Sequence, residues 1–152
     1  MTNVPLDRFL SYRVNRLSEA VAEIVSQVYE REVNLSLREL RVLRTVGSSP
    51  AIAHGEIVER VLFEKSLVSR LISGLVSKSY LKRQMHKTDA RRTSMILTRT
   101  GAEILKKADT LGLAMDKVWL SALSSREQKM FNECIEKLTR GLGPLARRFD
   151  VS

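Results

Sequence analysis

The first thirty residues carry an apolar stripe that is too long for a small protein core. Apolar side chains recur there every three or four residues, the period of an amphipathic helix. A helix from Leu6 to Glu30 is ~37 Å long at 1.5 Å per residue, and one small core cannot cover it. The pattern therefore predicts a helix shared with a partner chain. Its members are Leu6, Leu10, Val14, Leu17, Val21, Ile24 and Val28.

Two short helices and a longer one follow. Ser36 and Glu39 have the spacing of a capping box, in which each side chain satisfies a backbone amide of the other residue. This predicts a helix that turns Leu40 and Leu43 inward and ends near 47–50. A short helix over 53–61 and a helix over 65–79, joined by a tight connection, are typical of a helix-turn-helix. An ordinary helical hairpin with a solvated outer face is the alternative.

A hairpin after these helices favours the helix-turn-helix. Residues 80–85 and 94–97 have strand composition, and they flank a basic loop at 86–93. An arginine on such a projection can enter the minor groove of DNA, where negative potential is concentrated. Asp89 either braces this loop or is a simple turn residue. We expect DNA contacts from both the helix and the loop, at Lys65, Ser66, Ser69, Arg70, Lys87, Asp89, Arg91 and Arg92.

Two helices complete the chain. Thr98 is a predicted N-cap for a helix that runs to about Leu120. Ser124 and Glu127 form a second predicted capping box, which opens a helix that carries Ile135 and Leu138 on its apolar side. No linker, internal repeat or low-complexity tract interrupts this order. We therefore expect one domain over 1–152, mainly α-helical with a small β-hairpin wing.

Charge is concentrated in the middle of the chain. The formal net charge is +9 and the isoelectric point is about 10.1. Residues 36–100 hold thirteen Lys and Arg against five Asp and Glu, so nearly all the excess lies there. Such a balance favours polyanionic partners such as nucleic acid. It coincides with ordered patterns, which favours a phosphate-facing surface over a solvated loop.

Enzymatic and extracellular roles find little support in the sequence. The only histidines, His54 and His86, show no metal-ligand spacing with Cys134, the single cysteine. No phosphate loop, nucleophile elbow or dinucleotide glycine pattern is present, so no enzyme, cofactor or metal is expected. One cysteine, no secretory signal and no membrane-length apolar run predict a cytoplasmic protein. Cys134 lies beside Ile135, which favours buried packing over redox sensing.

With its elements in this order, the chain resembles the MarR family of transcriptional regulators. The resemblance is carried by Asp89-Ala-Arg91-Arg92 followed by Leu97-Thr98-x-x-Gly101, and by Val68-Ser69-Arg70 in the preceding helix. It covers essentially the whole chain. One departure is Ser79, where the family often has glycine. This serine must either adopt a left-handed conformation or end the helix differently.

The resemblance implies a dimeric winged helix-turn-helix protein that binds double-stranded DNA as a repressor. The winged part would span 36–100, and helical dimerisation parts would span 6–32 and 101–149. It also implies release from a pseudo-palindromic operator by a small molecule, such as an aromatic acid or an acyl-CoA. Tyr12, Arg13, Arg16 and His54 are candidate effector contacts. Their alternatives are a solvated helix face for the first three residues and a helix N-cap for His54.

Other functions remain open at this stage. An architectural protein would coat DNA without an effector and without preferring one site. A winged helix can also bind RNA or protein, or serve only for dimerisation. Sequence preference discriminates a regulator, which favours one site over random duplex by roughly 10³ or more.

Overall fold

The computed structural model describes residues 4–85 and 93–148, with the backbone alone at Met85 and at 144–147. The chain divides into two compact units, 1–112 and 113–152. The fold is mostly helical with one small antiparallel sheet, as expected from the sequence. In the described residues the elements are α1 (Leu10–Val33), α2 (Leu37–Gly47), β1 (Ile52–Ala53), α3 (His54–Val61), α4 (Lys65–Ser77), β2 (Leu81–Met85), β3 (Thr93–Leu97), α5 (Arg99–Trp119) and α6 (Ser125–Arg148).

The long first helix is confirmed, with shifted ends. A separate 3-10 turn occupies Leu6–Arg8, and α1 ends where Asn34 takes a left-handed conformation, at a φ of 54°. Only Tyr29 and Val33, at its C-terminal end, are buried. Most of the apolar stripe that precedes them is exposed, with Leu10 at 63% and Ile24 at 65%.

The core of the first unit lies between α2, α3, α4 and the sheet. The predicted capping box that opens α2 is present, because Ser36 Oγ accepts from Glu39 N and Glu39 Oε2 accepts from Ser36 N. The largest fully buried side chains belong to the stretch from Leu35 to Leu81, and Ala108 of α5 is also fully buried. Apolar residues on α2 and α4 face each other there, as their helical spacing predicts: Leu40, Leu43, Val46, Val68, Ile72 and Leu75.

The sheet has one strand more than the sequence predicts. The hairpin of β2 and β3 is confirmed, with Leu81 paired to Leu97 and Met85 to Thr93. The missed strand, β1, pairs Ile52 with Met95 and makes the strand order β1-β3-β2. Two residues are too short to show the alternation by which strands are recognised. The strand nevertheless buries Ile52, which is 1% exposed.

The junction between the hairpin and α5 explains the Leu-Thr-x-x-Gly pattern. Thr98 caps α5 as predicted, since its Oγ1 accepts from Gly101 N at 2.9 Å. The same hydroxyl lies 2.7 Å from Ser79 O, to which it donates. A Cβ on Gly101 would overlap the carbonyl oxygen of Tyr80, so only glycine fits there. Ser79 adopts the left-handed alternative, with a φ of 60°.

The second unit contains the end of α5 and the whole of α6. Trp119 and Phe131 pack edge to face at 6.2 Å between ring centroids. The predicted capping box is present, with Ser124 N donating to Glu127 Oε2 at 2.8 Å. Cys134 is exposed, so the expectation that it is buried is wrong. Its neighbour Ile135 is also about half exposed, at 46%.

Candidate nucleic-acid interface

The outer face of α4 presents the four helical residues that we predicted to contact DNA. Val68, Ile72 and Leu75 are buried against the core, which fixes the rotation of the helix about its axis. The same rotation turns one polar side outward, over the N-terminal half of the helix. Its exposed members are Lys65, Ser66, Ser69, Arg70 and Ser73.

Core packing makes this face rigid. Helix α4 packs on α2 and α3, whose Leu43, Ile57 and Val61 are at most 1% exposed. Side chains carried by such a well-packed helix keep a defined position relative to the strands. The sequence thus folds locally into two helices, and burial of the apolar side of the second one leaves its polar side in solvent.

His54 joins this surface. It is the first residue of α3, and its Nε2 lies 2.9 Å from Ser69 Oγ. Ser69 Oγ in turn donates to the backbone oxygen of Lys65 at 3.0 Å, one helical turn earlier. No local sequence pattern indicates this contact, because the histidine and the serine are on different helices.

A pocket of about 240 Å³ opens beside the polar face of α4. Ser73 of α4, Arg83 of β2 and Thr93 of β3 contribute polar groups together with His54 and Ser69. Ile72 and Met95, both nearly buried, form its apolar part. The pocket therefore combines a guanidinium and hydroxyl groups with an apolar wall.

The hairpin brings further basic groups close to α4. Lys82 and Arg83 are exposed on β2, next to the buried Leu81. The register pairs Met85 with Thr93, so the intervening residues 86–92 connect the two strands. Four predicted contacts lie in this connection, outside the described residues: Lys87, Asp89, Arg91 and Arg92.

Lys78, a further candidate for phosphate contact from its charge, has a structural role. Its Nζ donates to Asn34 O and to Glu39 Oε1, both at 2.8 Å. Burial raises the pKa of Glu39, but the hydrogen bonds from Lys78 and from the Ser36 backbone outweigh burial and hold that pKa below its usual value. The pair ties the end of α1 and the start of α2 to the end of α4.

A second ion pair joins α2 to α5. Arg44 Nε and Nη2 both lie 2.8 Å from Asp109 Oδ1. Burial lowers the pKa of Arg44, but hydrogen bonds with Tyr29 and Asp109 outweigh it and raise that pKa. Tyr29 is 3% exposed, and its hydroxyl would lie 2.5 Å from a Cβ at Gly112. No sequence motif connects these residues.

The candidate effector residues lie on two elements. Tyr12, Arg13 and Arg16 belong to the first half of α1, where both arginines are exposed and Tyr12 is half-buried. His54 belongs to α3 and contacts Ser69 of α4. The structure thus places His54 with the predicted DNA contacts.

Neither a metal site nor a membrane-spanning helix is found in the described part of the chain. It contains no group of three or more His, Cys, Asp or Glu side chains that could hold a metal ion. None of its helices combines the length and the low charge that crossing a membrane requires.

The family model and the relatives that match this chain agree with each other, because both are transcriptional regulators. Residues 33–92 match the model of the MarR family. The transcriptional regulator HosA of Escherichia coli is 24% identical over 105 residues, which cover 69% of this chain and 78% of HosA. The resemblance proposed from the sequence is therefore confirmed.

Solved structures share the fold. One is the PcaV regulator of Streptomyces coelicolor in complex with its natural ligand, with a TM-score of 0.72 and 22% identity over 92% of this chain and 98% of PcaV. Another is BpsR of Bordetella bronchiseptica, whose DNA binding is regulated by 6-hydroxynicotinic acid. It has a TM-score of 0.76 and 14% identity, over 90% of this chain and 97% of BpsR. The winged-helix architecture is thus common to all three.

Proposed function

From the similarity to MarR-family regulators, we propose that this protein is a dimeric, sequence-specific DNA-binding regulator that represses transcription. The exposed polar face of α4 carries the proposal, because a rigid helix with Lys65 and Arg70 at its outer N-terminal end suits the major groove. It would act in the cytoplasm.

The two long helices would form the dimer. In α1, Leu10, Leu17 and Ile24 expose half or more of their surface. In α6, Leu138 and Leu142 are exposed at a helical spacing. A second copy can remove these apolar stripes from water, at about 25 cal/mol per Å² of apolar surface. The proposed division is 36–100 for DNA binding, with 6–32 and 101–149 for dimerisation.

A two-fold dimer repeats the α4 face. The two helices would enter successive major grooves on one side of the duplex, with half-sites about 10 bp apart. Lys65, Ser66, Ser69 and Arg70 are the proposed groove contacts. Lys87, Arg91 and Arg92 are proposed to contact the minor groove or phosphates, with Asp89 bracing their loop.

A small acidic ligand is proposed to release the DNA. Tyr12, Arg13 and Arg16 offer an aromatic ring and two guanidinium groups on one helix, which suits an aromatic acid or an acyl-CoA. The regulation of BpsR by an aromatic acid supports this class. His54 is assigned to the DNA contacts instead, because it is bonded to Ser69. A ligand shifts binding only by its difference in affinity for the two states.

Selection of bound sequences from a random duplex pool tests the function. We expect a pseudo-palindrome that is preferred over random DNA by roughly 10³ or more. Repeating the selection with aromatic acids, for the wild type and for Arg13→Ala with Arg16→Ala, tests the effector. An architectural protein would instead bind the pool without enrichment.

Salt dependence tests which residues contact phosphate. Each contact adds about 0.9 to the slope of log affinity against log salt. Lys65→Ala and Arg70→Ala should therefore each reduce the magnitude of the slope by roughly one for every half-site that the dimer occupies. Arg126→Ala, which removes an exposed charge from the start of α6, is the matched control and should leave the slope unchanged. Equal slopes for all three variants would contradict the proposed α4 interface.

A further inference from the structure

The contact between His54 and Ser69 restricts what Ser69 can recognise. Ser69 is the fifth residue of α4 and lies on the exposed face that is proposed to meet the bases. Its hydroxyl oxygen has two neighbours within hydrogen-bond distance, Lys65 O at 3.0 Å and His54 Nε2 at 2.9 Å. A serine hydroxyl has one proton and two lone pairs, in three staggered positions around the oxygen.

Only one arrangement satisfies both neighbours. Lys65 O can only accept, so the hydroxyl proton must point to it. The imidazole must then donate, which places a proton on Nε2 of His54. The third position on Ser69 Oγ is a lone pair. The alternative, with the hydroxyl donating to an unprotonated Nε2, turns a lone pair of the hydroxyl against the carbonyl oxygen at 3.0 Å.

We propose that His54 and the Lys65 carbonyl hold Ser69 as an acceptor-only group, which selects a base that offers an amine in the major groove. The amine-bearing edges are adenine, through N6, and cytosine, through N4. At the corresponding positions guanine and thymine present only acceptors, which are O6 and N7 of guanine and O4 of thymine. Facing one of them, Ser69 would bring two lone pairs together or give up its bond to Lys65 O. His54 is in this role a positioning residue.

This inference rests on the proposed function and adds a base preference to it. A single hydrogen bond of this kind corresponds to a preference of roughly fivefold to tenfold at one position of each half-site. An unrestrained serine would show less preference, because its hydroxyl can rotate to donate or accept.

Selection from a random duplex pool, run in parallel on five proteins, tests the inference. The wild type should enrich adenine or cytosine at one position of each half-site, and Ser69→Ala should lose the preference there alone. His54→Ala should weaken that preference to about threefold or less. His54→Gln keeps an N–H donor and should restore most of it. Ser77→Ala is the matched control, because Ser77 makes the same backbone bond, to Ser73 O at 3.0 Å, near the other end of α4.

A second measurement uses the wild-type protein and changes the DNA. Purine in place of the selected adenine, or 2-pyrimidinone in place of the selected cytosine, removes only the amine. This change should weaken binding fivefold to tenfold for the wild type and leave Ser69→Ala unaffected.

The outcomes separate the two proposals. Enrichment of guanine or thymine at the Ser69-dependent position would overturn the inference, as would equal loss for the wild type and Ser69→Ala on the amine-free DNA. Both results leave site-specific binding intact. If no sequence is enriched by any of the five proteins, the proposed function fails, and the inference fails with it.

Discussion

The winged part and the long terminal helices solve the burial of apolar side chains in opposite ways. Twelve large side chains between Leu35 and Leu81 are less than 2% exposed. Helix α1 buries only Tyr29 and Val33, and none of the described side chains of α6 is buried. One region therefore carries its own core, whereas the other keeps a regular apolar stripe in water. The difference shows that the winged part is stabilised by its own packing, and it supports the proposal that the long helices pair with a second copy of the chain.

The largest expected effect comes from placing charge in the α1 stripe. Leu17→Glu with Ile24→Glu would bury four carboxylates in a two-fold dimer, since each chain supplies two. We expect the dimer dissociation constant to rise by at least about a hundredfold, because unpaired charges are costly to desolvate. Sedimentation over a range of protein concentrations measures it.

The control for that variant adds the same charge to the opposite face of α1. Asn15→Glu with Ser26→Glu should leave the dissociation constant nearly unchanged, because these positions point away from the stripe. Equal weakening by both pairs would show that net charge, and not the apolar face, governs association.

Core and stripe should respond differently to loss of a leucine side chain. Leu75 is fully buried, so Leu75→Ala should lower the free energy of unfolding by about 2–5 kcal/mol at any protein concentration. Leu138 is 63% exposed in the single chain. For Leu138→Ala we expect a loss that depends on protein concentration, because the dimer is what it weakens. Urea denaturation at two concentrations distinguishes them.

Close backbone contact at the end of the hairpin predicts a strong glycine requirement. In Gly101→Ala the new methyl group would overlap Tyr80 O, so the junction must shift. We expect a loss of about 1–3 kcal/mol in the free energy of unfolding. Gly55→Ala is the control, because open space surrounds that position in α3, and it should stabilise the fold by up to about 1 kcal/mol. Thermal unfolding of both variants checks the contrast.

The last expected effect is a pH dependence of stability that comes from the Glu39–Lys78 pair. The folded-state pKa of Glu39 lies below its unfolded value, which is about 4.3. Its contribution is therefore present above that unfolded pKa and is lost as the pH falls through the folded pKa. Glu39→Gln should cost about 1–3 kcal/mol at pH 7 and progressively less in acid.

Glu127 is the matched control for Glu39. It forms the same capping box, with Ser124, and the hydrogen bonds from Ser124 also lower its pKa. It is exposed, however, and within the described residues no lysine forms an ion pair with it. We expect Glu127→Gln to change stability less than Glu39→Gln does at pH 7. If the two variants had equal effects, Lys78 would contribute nothing beyond the helix cap.

Much of the fold follows from local sequence. The capping boxes at Ser36 and Ser124, the Thr98 cap and the hairpin all depend on residues within a few positions of one another. The same holds for the exposed face of α4, because the spacing of Val68, Ile72 and Leu75 already assigns the polar side. The two-residue strand β1 was missed, since its only support is pairing with the distant Met95.

What the tertiary structure alone decided is which polar groups meet across the fold. His54 and Ser69 are 15 residues apart, Glu39 and Lys78 are 39 apart, and Arg44 and Asp109 are 65 apart. In each pair the two residues are on different elements, so neither the helical nor the strand period predicts that their side chains meet. Local sequence was enough to predict the helices, their caps and the concentration of positive charge that favours DNA. Packing brings His54, at the start of α3, into contact with Ser69 of α4. It also places Lys78 in hydrogen bonds with Asn34 and Glu39, which connect α4 to α1 and α2. Contacts of this kind form only once the helices that carry them are packed.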